Sequence, residues 1–463
     1  MTGWRDLFTG GRATVTSTLC LGEAVYAFNS FLVSTAMPSA VRELGGVRFV
    51  GWTVTVYLVA ALVAGAMTGF LKQRIGARRL LAAGGIVFAL GSLCAGAAFS
   101  MPMILLGRFL QGAGEGVIAA ACYALIAELL PASLVPRAFG LAAIVWAVAA
   151  FAGPLLSGLL TEAISWRAAF LVNLPVIALF LALVPRAVPE GSGAATAFRL
   201  PIGRLLYIAA GIMAISLAAV ADSPPASAIL ILLGLTLLVL VFWRDRRASN
   251  RLFPADAFRP ATPLGAALCM TLLMPLGQAS TSAYLPITVQ SLWGYTPSAA
   301  GALIAVMALS WSATAVLIPM IHTGWIAPLC IRFGPLLLAA GLLGAAIVVP
   351  MQWQAALIAC QLLIGISFGV GWAFLNQAAV AAARPDEQDL ASALVPTVQS
   401  AGYAIGAAVA GLVANSTGYD VDLLAHTGGG LQAGWIFGLG AIIALLAFAL
   451  GWRAAVFRPA TAP

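Results

Sequence analysis

Long apolar runs follow one another along the whole chain and are separated by short polar connections. Most are roughly 18 to 27 residues long, the length that an α-helix needs to cross about 30 Å of hydrocarbon. None alternates apolar and polar residues as the strands of a membrane barrel do. The pattern predicts an all-α integral membrane protein with 14 spans, at 17–37, 51–70, 79–99, 103–129, 137–161, 167–184, 202–221, 226–243, 264–290, 298–319, 333–350, 354–380, 391–415 and 433–453.

The composition agrees with this pattern. Of 463 residues, 62% are hydrophobic and 8% are charged, whereas charged residues make up about a quarter of a soluble domain. Residues 1–18 lack the short apolar core and small-residue cleavage site of a signal peptide, so none is expected. The six cysteines lie in or beside spans without a CxxC spacing, and we interpret them as packing residues.

The basic residues predict the orientation of the chain. An even number of spans puts both termini on one side, and all but four of the 23 Lys and Arg residues lie beside that face. The exceptions are Arg42, Arg48 and Arg167 at the opposite face and Arg108 inside a span. The positive-inside rule therefore predicts cytoplasmic termini in a cytoplasmic (inner) membrane, and it accounts for the net charge of +8 without nucleic acid.

The two longest connections divide the chain. They cover 185–201 and 244–263, are rich in Pro, Gly or Arg, and bracket two spans. We therefore predict an N-terminal six-helix bundle at 1–184, a linker with two extra transmembrane helices at 185–253, and a C-terminal six-helix bundle at 254–463. Duplicated halves of this kind are typical of transporters.

Two ionisable side chains fall inside the apolar run at 103–129. An Arg or an acid at the centre of a membrane costs roughly 2.5 to 3.5 kcal/mol, so Arg108 and Glu115 require buried partners, a wet cavity or a function. They share one helix face with Gln111 between them, about 10 Å apart along the axis. A direct ion pair is therefore not expected without Gln111 or water as a bridge. Glycines around them favour close packing of other helices.

Four motifs occur in a characteristic order. They are a Gly and Arg turn at 69–79, Arg108-x-x-Gln111-Gly112, Gly153-Pro154-x-x-Ser157-Gly158 and Trp166-Arg167-x-x-Phe170-x-x-Asn173-x-Pro175. Together they resemble the major facilitator superfamily and, more narrowly, its 14-span drug:proton antiporter family. The resemblance covers the whole chain and implies a major facilitator fold with two extra helices between the six-helix bundles.

The resemblance also implies a conformational switch. In the family, the turn between the second and third spans clamps the two halves, and the Gly-Pro element of the fifth span is associated with exporters. Gln73 stands where the family turn has an acid, which puts a charge-based clamp in doubt. The switch residues implied here are Gly69, Gln73, Arg74, Gly76, Arg78, Gly153 and Pro154.

Proton coupling is implied as well. The family Arg that matches Arg108 is associated with a proton-carrying carboxylate, and Glu115 lies on the same span. The acid that the family often carries in its first span aligns with Asn29, which cannot hold a proton. Glu23 lies six residues earlier and within the membrane. Glu23 and Glu115 are therefore alternative protonation sites, with Arg108 as their partner.

The predicted cargo is lipophilic, because the presumed cavity holds amides, aromatics and few charges. The lining candidates are Tyr26, Asn29, Gln111, Gln278, Tyr284, Trp311, Trp372, Asn376, Gln399 and Tyr403. We expect an exporter of amphipathic or hydrophobic small molecules, of the multidrug-efflux type, that works by alternating access. It is expected to act as a monomer in the bilayer, with protons as the coupling ion and with no cofactor, metal or nucleic acid.

Other classes of protein fit less well. An enzyme is not expected, since two separated histidines exclude an H-E-x-x-H zinc site and no serine lies in a G-x-S-x-G elbow. A nucleotide-driven pump would need a phosphate-binding loop, which the single lysine, Lys72, does not have around it. A receptor or scaffold would not require a buried Arg108 and Glu115. An exporter of lipids, fatty acids or other lipophilic metabolites remains an alternative within transport.

Overall fold

The structure is a computed structural model that describes residues 4–131, 133–190, 202–221, 223–248, 251–318, 326–419 and 430–455. Within these ranges the chain forms 15 α-helices and short 3-10 helices, without a strand. The α-helices are α1 Gly11–Leu44, α2 Val50–Ile75, α3 Ala77–Gly96, α4 Met101–Leu129, α5 Val135–Ala163, α6 Ala168–Leu171, α7 Asn173–Ala187, α8 Ile202–Ala218, α9 Pro224–Asp245, α10 Pro263–Leu292, α11 Pro297–Leu317, α12 Ile326–Val348, α13 Gln354–Ala381, α14 Gln388–Ser416 and α15 Gly430–Ala454.

Thirteen helical segments in the described part of the chain are long and apolar enough to cross a membrane. The short helix α6 and α7 together form one of them. Helix α8 is apolar but has 17 residues, which span about 25 Å and fall short of the roughly 30 Å hydrocarbon layer. The all-α, multi-pass class is confirmed, whereas 14 spans and cytoplasmic termini stay predictions.

Local sequence sets several helix ends. Before α10, the hydroxyl of Thr262 accepts the backbone N–H of Gly265 at 3.2 Å, and Pro263 follows at the first helical position. Ser223 caps α9 in the same way, since its hydroxyl accepts the N–H of Ala226 at 3.4 Å. Such caps satisfy N–H groups that a helix start leaves without a partner.

The helices divide into two compact units. The first comprises the described residues of Met1–Gly46, Val56–Leu205 and Thr296–Gly301. In it α1 packs on α4, α5 and α7, and α3 packs on α4. Its core is built from buried apolar side chains of these helices, including Leu19, Phe88, Ile118, Phe180 and Val184.

The second unit comprises the described residues of Val47–Thr55, Leu206–Tyr295 and Ala302–Pro463. Helix α10 packs on α14 and α15, and α12 packs on α13 and α15. Its core includes Leu268, Met274, Leu338, Phe368 and Ala444. No finding tests the three-part domain division made from the sequence, so it stays a prediction.

The described part of the connection between α9 and α10 is held within the second unit by two carboxylates. The buried carboxylate of Asp245 accepts the backbone N–H groups of Leu252 and Phe253 at 2.8 and 3.0 Å. The carboxylate of Glu387, just before α14, accepts the N–H of Ala255 at 3.1 Å. Two carboxylates therefore hold this loop through its backbone rather than through side-chain packing alone.

Candidate functional site

Glu115 lies in the interior of the first unit, with no solvent-exposed surface. Its Oε2 accepts a hydrogen bond from the Asn29 amide of α1 at 2.8 Å. Its Oε1 accepts a hydrogen bond from the hydroxyl of Tyr57 in α2. Each carboxylate oxygen thus has a donor from a different helix, and Glu115 joins α1, α2 and α4.

Arg108, about two turns before Glu115 on α4, is also buried. Its Nη1 donates to the Gln111 Oε1 at 2.9 Å, and Gln111 in turn donates to the hydroxyl of Ser92 in α3 at 3.0 Å. The guanidinium carbon lies over the Tyr57 ring, 3.8 Å from its centroid. Gln111 therefore connects Arg108 to α3, and Tyr57 touches both Arg108 and Glu115.

Glycines of α4 allow this arrangement. A Cβ on Gly112 would meet the backbone oxygen of Tyr57, and one on Gly116 would meet the backbone oxygen of Ala61. Helix α2 can therefore approach α4 closely only because these positions lack side chains. The same glycines that sequence analysis associated with packing place the phenol of Tyr57 between Arg108 and Glu115.

The cluster places a guanidinium and a carboxyl group in the buried interior. Breaking a buried ion pair by removing one partner costs roughly 3 to 5 kcal/mol. Hydrogen bonds to ionised groups are the strong ones, and a cation over an aromatic face gains about 2 kcal/mol when both are desolvated. Arg108 and Glu115 are thus stabilised by neighbours on α1, α2 and α4, as their occurrence within a span required.

Asn29 links the cluster to α7. Its Oδ1 accepts a hydrogen bond from the Asn173 Nδ2 at 3.4 Å, which also reaches the backbone oxygen of Phe170 at 3.4 Å. Asn173 is the amide of the Trp166-Arg167 motif. Because both faces of the Asn29 amide are occupied, this predicted lining residue holds helices and Glu115 in place.

Glu23 occupies a separate environment on α1 and is likewise fully buried. Its Oε2 accepts the indole N–H of Trp146 at 3.3 Å, and the phenol of Tyr123 lies close by. A small cavity of about 10 Å³ borders it, lined by Thr16, Leu19, Cys20, Glu23, Ile126, Leu130, Ala138 and Ala142. Tyr26, one of the lining candidates, packs edge-on against Trp146 with ring centroids 4.8 Å apart.

Trp166 and Arg167 of the motif both contact the carboxylate of Glu43, at the end of α1. Glu43 accepts the indole N–H of Trp166 at 2.7 Å and pairs with Arg167 at 2.8 Å. The Arg167 guanidinium also donates to the backbone oxygen of Ala98 at 3.0 Å and lies over the Trp166 ring. This motif is therefore structural, since it fixes the end of α1 to the segments after α3 and before α6.

The predicted switch turn joins α2 to α3. Gly76 has a φ of +83°, a conformation that essentially only glycine adopts, and Arg74 lies over the ring of Phe70. Arg78 pairs with Glu190 at 2.8 Å. Gln73 is exposed at the end of α2, and Gly69 has open space where a Cβ would stand.

An ion pair that the sequence did not indicate lies beside this turn. Lys72, next to Gln73, pairs with Glu128 at the end of α4. The side chain of Glu128 is half exposed. The pair nevertheless connects the ends of α2 and α4 within the first unit.

Gly153 and Pro154 lie where α5 crosses α1. A Cβ on Gly153 would stand 2.9 Å from the Cβ of Phe31. Pro154 lies inside the helix, and its backbone oxygen accepts a hydrogen bond from Thr35 at 3.4 Å. The Ser157 hydroxyl donates to the backbone oxygen of Leu32. The element is thus a close helix crossing, and no finding tests its role in switching.

The lining candidates of the second unit fall into two kinds. Gln278 is buried and bonded to Met307 and Ser282, and Tyr284 is buried edge-on against Tyr419. These side chains are therefore part of the packing. Gln399 and Tyr403 are partly buried, four residues apart on one face of α14.

Trp311 and Trp372 form an aromatic group with a third ring. Phe368 lies between them, with centroids 5.2 Å from Trp311 and 5.6 Å from Trp372. Asn376 lies one helical turn beyond Trp372, and its buried Oδ1 has no hydrogen-bond partner among the described residues. Three rings and one uncommitted amide oxygen thus lie together on α11 and α13.

Sequence reasoning missed Tyr57 and Ser92, which belong to the group around Arg108 and Glu115, and Trp146, which contacts Glu23. Tyr57 had one signal, because a phenol within an apolar span needs a hydrogen-bond partner. Nothing local in the sequence indicates which partner that is.

Comparison with known proteins identifies the family. The Major Facilitator Superfamily model matches residues 19–407. The chain is 32% identical over 425 residues to a probable multidrug-efflux transporter, Rv1634, of Mycobacterium tuberculosis, covering 89% of this chain and 90% of that protein. It is 31% identical over 410 residues to the puromycin resistance protein pur8 of Streptomyces alboniger, covering 86% and 80%.

Solved structures share the fold. A D-xylose-proton symporter superposes with a TM-score of 0.68 at 16% identity, covering 96% of this chain and 98% of that one. A peptide transporter POT in complex with sulfate superposes with a TM-score of 0.69 at 15% identity, covering 96% and 95%. The family model and the full-length relatives show that the chain is a membrane transporter of small molecules rather than an enzyme, and that it belongs to the major facilitator superfamily.

Proposed function

We propose that this transporter exports amphipathic or hydrophobic small molecules in exchange for protons. The observation that carries the proposal is Glu115, a buried acid held by Asn29 and Tyr57 with Arg108 on the other side of the same phenol. The names of two full-length relatives, a probable multidrug-efflux transporter and a puromycin resistance protein, favour efflux. The transporter acts as a monomer in the inner membrane with both termini in the cytoplasm, and it needs no cofactor.

In this proposal Glu115 carries the proton. When it is ionised, its charge is balanced by Arg108 and by two hydrogen-bond donors. When it takes up a proton, Arg108 loses its counter-charge and the ties between α1, α2 and α4 weaken. That change of charge in a dry interior favours a different helix arrangement. Alternating access then follows from whether Glu115 is charged.

Glu23 is the second candidate for the same role. Its carboxyl is buried beside a cavity about large enough for one water molecule. Its neighbours are the Trp146 indole and the Tyr123 phenol, and its described contacts include no Arg like the one near Glu115. We therefore assign the coupling proton to Glu115 first, and Glu23 is tested in parallel.

The cargo we propose binds mainly through apolar area. The rings of Trp311 and Trp372, which pack on the buried Phe368, offer such area, and the Oδ1 of Asn376 offers one hydrogen-bond acceptor to a donor on the cargo. A few polar groups on an aromatic surface are the usual composition of a pocket for lipophilic compounds. Puromycin, an amphipathic amine, is the first compound to test because one relative is named for resistance to it.

The test uses purified protein in liposomes with an imposed pH gradient and puromycin as cargo. Glu115→Gln is expected to abolish gradient-driven accumulation, and Glu23→Gln is measured beside it. Glu162→Gln is the matched control, because this acid lies at the exposed end of α5 and bonds to Ser298 and Thr296, away from Glu115 and Glu23. Wild-type flux that ignores the pH gradient, or accumulation retained by both Glu115→Gln and Glu23→Gln, would refute the proposal.

Cargo class is tested in cells that lack their own efflux pumps. Expression of this protein is expected to raise resistance to puromycin and to lipophilic dyes. Unchanged resistance together with altered envelope lipids would instead support export of lipids or fatty acids.

A further inference from the structure

A second hydroxyl continues the hydrogen-bonded chain that ends at Glu115. The hydroxyl of Tyr57 donates to the Glu115 Oε1 and lies 3.3 Å from the Ser30 Oγ. Ser30 is on α1, one residue after Asn29, and it is only partly buried, whereas Tyr57 and Glu115 are buried. The three groups therefore lead from a partly exposed position to the interior acid.

The direction of these hydrogen bonds follows from counting protons. A phenol has one proton, and Tyr57 gives it to Glu115, so in the contact between the two hydroxyls Ser30 must be the donor. The Ser30 proton is then shared with the backbone oxygen of Tyr26, 2.9 Å away. Tyr57 thus accepts a hydrogen bond from Ser30 and donates one to Glu115, and the lone pairs of the Ser30 oxygen can accept a proton from water, which is the arrangement that passes a proton along a chain.

We propose that Ser30 and Tyr57 form the path by which the coupling proton reaches and leaves Glu115, a role that rests on the function proposed above. Water delivers a proton to the Ser30 Oγ as the proton of Ser30 moves to the Tyr57 oxygen. The proton of Tyr57 moves to the Glu115 Oε1 in the same event. One proton enters, one arrives on Glu115, and both hydroxyls end neutral.

The geometry fits both protonation states of Glu115. Once protonated, Glu115 donates to the Tyr57 oxygen, and the Tyr57 proton turns to Ser30. The direction of each hydrogen bond reverses while the oxygen atoms stay in place. Asn29 occupies the other carboxylate oxygen at 2.8 Å, so Oε1 is the one that faces the path.

Among the charged and titratable groups near Glu115, Tyr57 is the one that connects it to Ser30 in the described contacts. Arg108 lies over its ring face, but the guanidinium does not release a proton at ordinary pH. Tyr26 and Glu23 of α1 also act electrostatically on this cluster. Glu23 hydrogen-bonds to Trp146 instead, outside the chain of hydroxyls.

Tyr57→Phe tests the path, because it removes the hydroxyl and keeps the ring under Arg108. In puromycin-loaded liposomes we expect proton-driven exchange to slow by about a hundredfold or more, within the range of roughly 10² to 10⁴ that a positioned proton-transfer group contributes. Puromycin binding to the purified protein should change less than about twofold. Ser30→Ala should slow exchange by about threefold, since water can partly replace a surface-side hydroxyl.

The controls lose equivalent hydroxyls elsewhere. Tyr207→Phe removes a phenol on α8 that accepts from Arg244, and Ser34→Ala removes a hydroxyl one turn beyond Ser30 that donates to the Phe31 backbone. Both should exchange protons at the wild-type rate. Exchange in Tyr57→Phe at the rate of Tyr207→Phe would overturn the path, and wild-type exchange in Ser30→Ala would overturn its first step.

A second variant guards against misfolding. Replacing Tyr57 with 3,5-difluorotyrosine keeps the ring and the hydroxyl and makes the hydroxyl a stronger donor to an ionised Glu115. The pH of half-maximal puromycin-induced proton release should then move down, and an unchanged profile would overturn the path. Failure of the proposed function looks different, because wild-type protein itself would then ignore the pH gradient and Glu115→Gln would match it.

Discussion

The guanidinium of Arg108 lies over the ring of Tyr57, with 3.8 Å between the guanidinium carbon and the ring centroid. The opposite end of the same phenol donates to Glu115. A guanidinium and a carboxyl group about two turns apart on α4 are therefore both contacted by one side chain of α2. Arg108 and Glu115 are about 10 Å apart along the helix axis, so they are not expected to pair directly. The Tyr57 side chain bridges them, with its ring under Arg108 and its hydroxyl on Glu115.

This stacking predicts that Arg108→Lys is not a conservative change. An ammonium keeps the charge but lacks the planar face and the donor fork of Arg. Losing about 1.4 kcal/mol of a desolvated cation–π contact corresponds to roughly a tenfold change. We expect puromycin export by Arg108→Lys to slow by that factor in liposomes. Export at the wild-type rate would show that only the charge at this position is required.

Arg108→Ala tests the charge balance through stability. It leaves Glu115 buried without its counter-charge, which should cost about 3 to 5 kcal/mol. The double variant Arg108→Ala/Glu115→Gln should recover most of the melting temperature of the detergent-purified protein, but not its transport. If the two substitutions lower stability additively, Arg108 and Glu115 do not compensate each other.

Gly112→Ala tests the close approach of α2 to α4. The added methyl would meet the backbone oxygen of Tyr57, and overpacking of this kind costs about 1 to 3 kcal/mol. We expect a lower melting temperature together with slower export, because Tyr57 is displaced. Gly203→Ala on α8 is the control, since a Cβ there meets nothing within 4 Å. Equal melting temperatures for the two variants would contradict the prediction.

Sequence patterns were sufficient for the helices and for part of this site. Period and length identified nearly every span, and the cost of burying charge indicated that Arg108 and Glu115 must have partners. The bond from Arg108 to Gln111 follows from helix spacing. Tyr57 could not be assigned in this way, because its place between the two charges depends on how α2 packs against the glycines of α4.

The same limit explains the other differences. Glu23 is an acid within a span by sequence, yet its neighbour Trp146 comes from α5, far along the chain. Asn173 was visible only as part of a motif, and its hydrogen bond to Asn29 joins α7 to α1. The apolar composition of 202–221 predicts a span, but the helix found there, α8, has 17 residues. That length does not by itself establish a fourteenth span. The local sequence pattern predicts the helices, whereas the packing of the helices determines which side chains meet.

Asp245→Ala should loosen the connection between α9 and α10. The substitution leaves the backbone N–H groups of Leu252 and Phe253 without their acceptor, at a cost of about 1 to 3 kcal/mol. Faster tryptic cleavage after Arg251 and Arg259 is expected in the folded protein in detergent.

The control for that experiment is Asp256→Asn, which weakens ion pairs of 3.6 Å to Arg259 and Arg384. Because these pairs are largely exposed, it should leave the cleavage rate nearly unchanged. Equal cleavage of the Asp245 and Asp256 variants would mean that the backbone contacts of Asp245 do not hold the loop.

Charge reversal tests the ion pair between Lys72 and Glu128. Lys72→Glu and Glu128→Lys each place two like charges side by side at the ends of α2 and α4, next to the amide that replaces the family acid, Gln73. Since both side chains are partly exposed, the coupling should be small, about 0.5 to 1 kcal/mol. Each single reversal is expected to lower the melting temperature and slow puromycin export, and the double reversal is expected to restore both. Additive losses in the double variant would show that the contact contributes nothing, and restored stability with export still slow would assign Lys72 a role beyond its partner.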